Sequence, residues 1–323
     1  MKILITSKSF GRYAPEALAF LEKSGFEIIR GSKPSMTPDE IAAEVHDVDA
    51  LIVGNDIIDK KVIDAGTSLK LIHMNGTGLD GIDVDYATRK GILVANAPGA
   101  NRNAVAELAV GLMLVSARSI DAHIDLMRQG KWERSAGAEI SGKTVGFLGL
   151  GNIGKRVAEL LSGFGIRALA YDPQPDVAWA SAHGVALVDN IEGIFTQADF
   201  LILALPFNEK TRNIVNRESL AMMKPTARII NTARGGLIDE AALCEAIKGK
   251  KIAGAALDAY SEEPLPLASP LRMPGITLTP HMAATSIETA INMSWIVARN
   301  IVDILTRGNI DSAVNKERLA GAK

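Results

Sequence analysis

At 323 residues the chain is long enough for two domains, each with a sizeable core. Its 35 basic and 37 acidic residues nearly cancel, leaving no electrostatic footprint for nucleic acid or an anionic membrane surface. Cys244 is the single cysteine, which excludes an internal disulfide and a cysteine-based zinc site, and no metal-ligand set stands out.

Met1-Lys2 runs directly into Ile3-Leu4-Ile5-Thr6, a first strand rather than a signal peptide, and a cytoplasmic location is the expectation. Further short aliphatic runs follow at Phe26–Ile29, Ala50–Val53, Leu69–Met74 and Ile92–Asn96. A second set covers Thr144–Leu148, Ala168–Asp172, Phe200–Leu205, Arg228–Asn231, Ala253–Leu257 and Thr277–Thr279. Helical patterns such as Pro15–Ser24, Ile153–Ser162 and Glu240–Lys248 lie between them. Strands alternating with helices predict parallel sheets covered on both faces. A long helical block from Asn103 to about Gln129 interrupts the alternation. That interruption favours two doubly wound sheets over one eight-stranded barrel. Its apolar stretch, Ala104 to Ala117, is too short to span a bilayer and carries Glu107, so it reads as a buried or subunit-facing helix. A last helix is expected from about Ser286 to Leu305, stopped by Gly308, with no indication of which sheet it covers.

Thr144–Leu148 leads into the glycine pattern Gly149, Gly151, Gly154, followed at once by a helix. The spacing has a mechanism: Gly149 makes the tight turn, Gly151 admits a pyrophosphate, and Gly154 lets helix and strand pack closely. The helix N-terminus then offers free N–H groups to the phosphates. Asp172 ends the next strand, where a carboxylate accepts hydrogen bonds from ribose hydroxyls and repels a 2′-phosphate. NAD is therefore expected over NADP.

Of the five histidines, His281 stands out because it follows the apolar strand Ile276–Thr279 and Pro280. Arg234 lies in Asn231-Thr-Ala-Arg-Gly-Gly after another strand, and Asp258 with Glu262 and Glu263 after a third. Open α/β sheets bind ligands at the C-terminal ends of their strands. An arginine, a carboxylate and a histidine at three such ends can converge. From the residues alone, either Glu262 or Glu263 could partner the histidine.

These motifs resemble the D-isomer-specific 2-hydroxyacid dehydrogenase family, and within it the phosphoglycerate dehydrogenase branch. The resemblance runs from about Ala50 to Asn315, through Asn75–Asp83, Val105-Ala-Glu-Leu108, Gly130-Lys-Trp132, Gly149–Gly154, Asn231–Asp239, Gly254–Asp258, Glu263-Pro264 and Pro280-His281. It implies a Rossmann-type cofactor domain at 99–285, inserted into a flavodoxin-like substrate domain made of 1–98 plus 286–323. It implies that Arg234 binds the substrate's carboxylate and carbonyl oxygens, that His281 is the general acid/base, and that Glu263 orients it. Asp258 would hold the nicotinamide carboxamide, and Asn152, Ile153, Leu205, Thr232, Ala233 and Ala284 would contact the cofactor. Thr77 and Gly78 would face the substrate carboxylate, with Asn101 nearby. The region of Asn103 to Ala117 would build a homodimer contact.

The chemistry suits these types. A guanidinium grips a carboxylate in bidentate fashion and polarises a ketone, and an imidazolium protonates the forming alkoxide. The expected reaction is therefore hydride transfer between NAD and a small D-2-hydroxy acid, in the manner of phosphoglycerate dehydrogenase or hydroxypyruvate reductase. Two departures bear on it. Arginines that grip a substrate phosphate in the phosphoglycerate enzymes are missing from Val53-Gly54-Asn55 and Met74-Asn75, which makes a phosphorylated substrate less secure. The sequence stops near Lys323, so the regulatory domain of the longer enzymes, and feedback through it, is expected to be absent. Alternatives are oxidation of another small anion such as phosphite, formate being disfavoured by a glutamate at 263, or an NAD-gated binding protein of the corepressor type.

Overall fold

In a computed structural model the chain, described over residues 1–320, forms two compact units. Residues 1–101 and the described residues from 285 onward cluster as one unit and residues 102–284 as the other, so the chain passes between them twice.

The first unit holds a five-stranded parallel sheet made of β1 (Lys2–Ile5), β2 (Glu27–Arg30), β3 (Ala50–Val53), β4 (Leu71–Met74) and β5 (Leu93–Ala95). Its spatial order β2-β1-β3-β4-β5 is the flavodoxin-like doubly wound arrangement. Burial on both faces explains why β3 reads as an unbroken apolar run rather than an alternation. The terminal helix Ile287–Arg307 belongs to this unit. Ser286 caps its N-terminus by accepting from the Thr289 N–H, and Gly308 ends it at φ +69°. Its Met293, Val297 and Ile301 pack in one core with Ile3, Ile5 and Ala17. Beyond it, buried Asn315 accepts from the Val94 N–H and donates to the Ile92 carbonyl and Thr88 hydroxyl, fastening the tail to the free edge of β5.

The second unit holds seven parallel strands: β6 (Thr144–Leu148), β7 (Arg167–Tyr171), β8 (Val185–Leu187), β9 (Phe200–Leu203), β10 (Arg228–Asn231), β11 (Gly254–Leu257) and β12 (Ile276–Leu278). Their order, β12-β11-β10-β9-β6-β7-β8, reverses direction between β6 and β9. That reversal is the switch point at which doubly wound sheets bind dinucleotides. Along β9, Leu201 and Leu203 enter the core on one face and Phe200 and Ile202 the core on the other. The expected architecture of two doubly wound parallel sheets is thus the observed one.

Two elements differ from expectation. The helical block is two helices, Arg102–Arg118 and Ile120–Arg128, bent by 67° at Ser119, which adopts φ +49°. Neither glycine nor proline marks the break. It is imposed by the returning segment, whose Ala138 N–H takes the Ala117 carbonyl. Gly137 makes that crossing possible, since a Cβ there would lie 2.8 Å from the same oxygen. Among the described residues no single helix is long and apolar enough to cross a membrane. Strand β8 was not foreseen: it is a three-residue edge strand with only Val185 fully buried, so it carries no apolar run.

Candidate active site

The glycine loop joins β6 to helix Asn152–Leu161, which begins one residue before the expected Ile153. Gly149 has φ +91°, and a Cβ on it would lie 2.5 Å from the Ala204 carbonyl oxygen. A Cβ on Gly154 would lie 2.4 Å from the Gly149 oxygen. These two glycines are demanded by backbone packing. Gly151 is different, because nothing lies within 4 Å of its missing side chain. No side chain caps the helix, and the N–H groups of Asn152 and Ile153 find no acceptor among the described residues. Open space over unpaired donors fits a phosphate-bearing dinucleotide. Asp172 stands beside this loop, with Oδ2 accepting from the Leu150 N–H at 2.8 Å and Oδ1 from the Gln174 N–H at 2.8 Å. Its carboxylate is thereby fixed in orientation, with lone pairs left for ribose hydroxyls.

The remaining candidates occupy the neighbouring strand ends. Leu205 follows β9, Thr232, Ala233 and Arg234 follow β10, Asp258 and Glu263 follow β11, and His281 and Ala284 follow β12. From Asp172 to His281 the row crosses five inter-strand spacings, roughly 24 Å at about 4.8 Å each, enough for a dinucleotide laid across the strand ends.

At its far end the loops lock together. The imidazole Nδ1 of His281 is 2.6 Å from Glu263 Oε2, while Glu263 Oε1 accepts from the Tyr260 N–H at 2.9 Å. Glu262 and Glu263 are both exposed, and it is Glu263 that meets the imidazole. The Tyr260 hydroxyl lies 2.7 Å from the Thr279 carbonyl and 2.9 Å from that of Leu257, and so bridges the ends of β11 and β12. Burial pushes this phenol up to about 12, with the neighbouring Asp258 charge acting the same way, so it stays a protonated brace. Gly235, the residue after Arg234, packs directly on the β11 loop: a Cβ there would lie 1.8 Å from the Tyr260 carbonyl carbon. One guanidinium nitrogen, Nη1, donates to the Ala233 carbonyl. His281 and Glu263 keep 44% and 36% of their side-chain surface exposed, which leaves the pair accessible to a ligand.

Asp258 is only 1% exposed. Its Oδ1 accepts from the Thr279 hydroxyl (2.6 Å) and the Met282 N–H (2.9 Å), and Oδ2 from the Ala283 N–H (2.8 Å). It clamps the loop on both sides of His281, which itself adopts φ +49°. Tyr260 and Thr279 were not foreseen as parts of the site. Their contribution lies in side-chain bonds to residues up to 21 positions away, which no local pattern records.

Thr77, Gly78 and Asn101 lie in the first unit, after β4 and β5. The N–H groups of Gly76, Thr77 and Gly78 have no acceptor among the described residues. Successive unpaired N–H groups make an anion-binding concavity. Asn101 is buried and donates to the Thr77 hydroxyl at 3.4 Å.

Residues 110–283, just over half of the chain, match the family model described as D-isomer specific 2-hydroxyacid dehydrogenase, NAD binding domain. The chain is 40% identical over 328 residues to a D-3-phosphoglycerate dehydrogenase of Methanocaldococcus jannaschii, covering all of this chain and 61% of that protein. It is 42% identical over 257 residues to a hydroxypyruvate reductase of Thermotoga maritima, covering 77% of this chain and 82% of that protein. Among solved structures, a glyoxylate reductase from Paecilomyes thermophila superposes with a TM-score of 0.87 at 30% identity, over 98% of this chain and 99% of that one. The chain thus belongs to the D-isomer specific 2-hydroxyacid dehydrogenase family, and residues 110–283 match its NAD-binding domain. It spans about three-fifths of the length of the Methanocaldococcus relative.

Proposed function

We propose that the protein interconverts a small D-2-hydroxy acid and its 2-oxo acid, using NAD. The observation that carries this reading is the Glu263–His281 bond, placed with Arg234 on the same row of strand ends as the dinucleotide loop. Because Glu263 engages Nδ1, the ring's other nitrogen, Nε2, is the one left to exchange a proton with substrate oxygen. A nicotinamide held on this row would supply or accept the hydride at C2 of the substrate. In the reducing direction His281 gives its Nε2 proton to the carbonyl oxygen as the alkoxide forms, and Glu263 stabilises the imidazolium before transfer. Arg234 binds the carboxylate and draws electron density from the carbonyl. The N–H groups of Thr77 and Gly78, with Asn101 behind them, suit the substrate carboxylate. Asp258 serves first as the clamp for the His281 loop, and a nicotinamide carboxamide would use its remaining acceptor position.

An unphosphorylated acid suits the first unit better than a phosphorylated one. Gly54 and Met74 stand where a phosphate grip needs arginine, and the adjacent Asn75 amide is bonded to the hydroxyls of Ser7 and Ser9. Arg30 is turned onto the carbonyls of Ser7 and Phe10. A cytoplasmic homodimer completes the reading. Helix Ile120–Arg128 buries none of its residues and exposes Ile120, Ile124 and Met127, and Trp132 beyond it is 80% exposed. Such a surface suits a second copy.

Glyoxylate, pyruvate, hydroxypyruvate and 3-phosphohydroxypyruvate assayed with NADH test the proposal, with hydroxypyruvate expected to exceed its phosphorylated form in kcat/KM. Failure to reduce any of them, with NADH bound, would indicate a binding protein instead. For the cofactor, Asp172→Ala is expected to lose NAD more than NADP and to narrow the NAD/NADP ratio of kcat/KM by about tenfold or more, as expected for a lost charge-assisted bond. An unchanged ratio would remove Asp172 from the ribose site.

A further inference from the structure

The substrate loop after β4 is shaped from behind by side chains outside the row of catalytic candidates. The peptides joining Gly76, Thr77 and Gly78 are trans, so the C=O and N–H of each point in opposite directions. Whatever holds a carbonyl inward therefore aims the next residue's N–H outward. The Thr77 carbonyl accepts from Asn96 Nδ2 at 2.7 Å, and the Gly76 carbonyl from the Ala97 N–H at 2.9 Å. The N–H groups opposite these two carbonyls are those of Gly78 and Thr77. Asn96 is in turn braced by the terminal helix: Asn300 Nδ2 lies 3.4 Å from the Asn96 carbonyl and 3.1 Å from His73 Nε2. His73 Nδ1–H donates to the Met74 carbonyl at 2.9 Å. The imidazole is fully buried, which holds it down at about 4 and leaves it neutral with a single N–H. Both of its nitrogens are then matched, one as donor and one as acceptor.

We infer that Asn96, braced by Asn300 and His73, is a positioning residue that aims the Gly78 N–H at the carboxylate of the 2-oxo acid. The inference rests on the proposed activity and adds to it a reason why these N–H groups stay unpaired. A loop that bonded to itself would satisfy its own donors; here the carbonyls are occupied first by Asn96 and Ala97 from β5's exit, and the terminal helix acts only through Asn96 and His73. Asn96 touches no substrate in this account. It acts on ground-state and transition-state binding alike, because the carboxylate does not change charge in the reaction.

Asn96→Asp is the direct test. It keeps the shape but turns the donor into an acceptor facing the Thr77 carbonyl, so the peptide must rotate or the loop loosen. KM for the best 2-oxo acid should rise about tenfold, with kcat and the KM for NADH changed less than about twofold. Calorimetric binding of oxalate to the NADH-loaded protein should weaken by a similar factor. Asn300→Ala, which keeps Asn96 but removes its brace, should raise the same KM about threefold and serves if the aspartate variant does not fold. An unchanged KM and oxalate affinity in folded Asn96→Asp would overturn the inference. So would a loss of kcat, NADH affinity and thermal stability together, which marks a merely structural residue. If wild type turns over no 2-oxo acid yet binds oxalate, the proposed activity fails on its own and the oxalate comparison decides the inference. If wild type does neither, both fall.

Discussion

Replacing His281 with asparagine is expected to lower kcat by a hundredfold or more, within the range of roughly a hundred- to ten-thousandfold typical of proton transfer, while NADH binding stays nearly intact. Asparagine is the informative choice because His281 sits at φ +49°, a left-handed conformation that asparagine tolerates better than most residues. The variant therefore removes the proton donor without straining the loop. That loop is also held independently, by Asp258 accepting from the N–H groups of Met282 and Ala283. In the proposed reading NADH is held by the glycine loop and Asp172 at the other end of the row, so a fluorescence titration with NADH should give nearly the wild-type affinity. A variant that retained most of its kcat would show that the proton comes from elsewhere.

Arg234→Lys should lower kcat/KM about a hundredfold through a rise in KM and a fall in kcat together, the scale of losing one charge-assisted hydrogen bond of about 1.5–3 kcal/mol. Lysine keeps the charge but not the planar fork that engages two oxygens at once. Nor can a lysine reproduce the guanidinium's placement, which is set by extended backbone (φ −143°) and by Gly235 pressed on the Tyr260 peptide. Steady-state kinetics with the preferred 2-oxo acid distinguish the cases. A change in KM alone would confine Arg234 to uniform binding of the carboxylate.

Much of the architecture was legible because the periodicities were clean. Strands β3, β6 and β10 begin and end where expected, since both faces of these strands are buried and their central residues are apolar, as with Ile229 and Ile230 of β10. The glycine loop was legible for a similar reason: Gly149 and Gly154 are required by backbone contacts that only glycine permits. Less was legible wherever a distant segment decides. The break at Ser119 depends on Gly137 and Ala138 arriving from later in the chain, and β8 is too short and too exposed to leave a pattern.

Within the site, the residue types at the strand ends could be picked out, but not their couplings. Nothing local separates Glu262 from Glu263; the Tyr260 N–H, by fixing Glu263 Oε1, turns the other oxygen to His281. Asp258 looked like a ligand contact and is foremost a clamp, since three donors from residues 279–283 converge on it. Asn96 gave no signal at all, because its role depends on a carbonyl 19 residues earlier.

The account turns on hydride reaching C2 of a 2-oxo acid with D stereochemistry. Reduction of the preferred 2-oxo acid with NADH deuterated at nicotinamide C4, on the transferred face, tests it in one experiment. The account predicts a product carrying one deuterium at C2, in the D-2-hydroxy acid. An L product, or a product with no deuterium at C2, would contradict it.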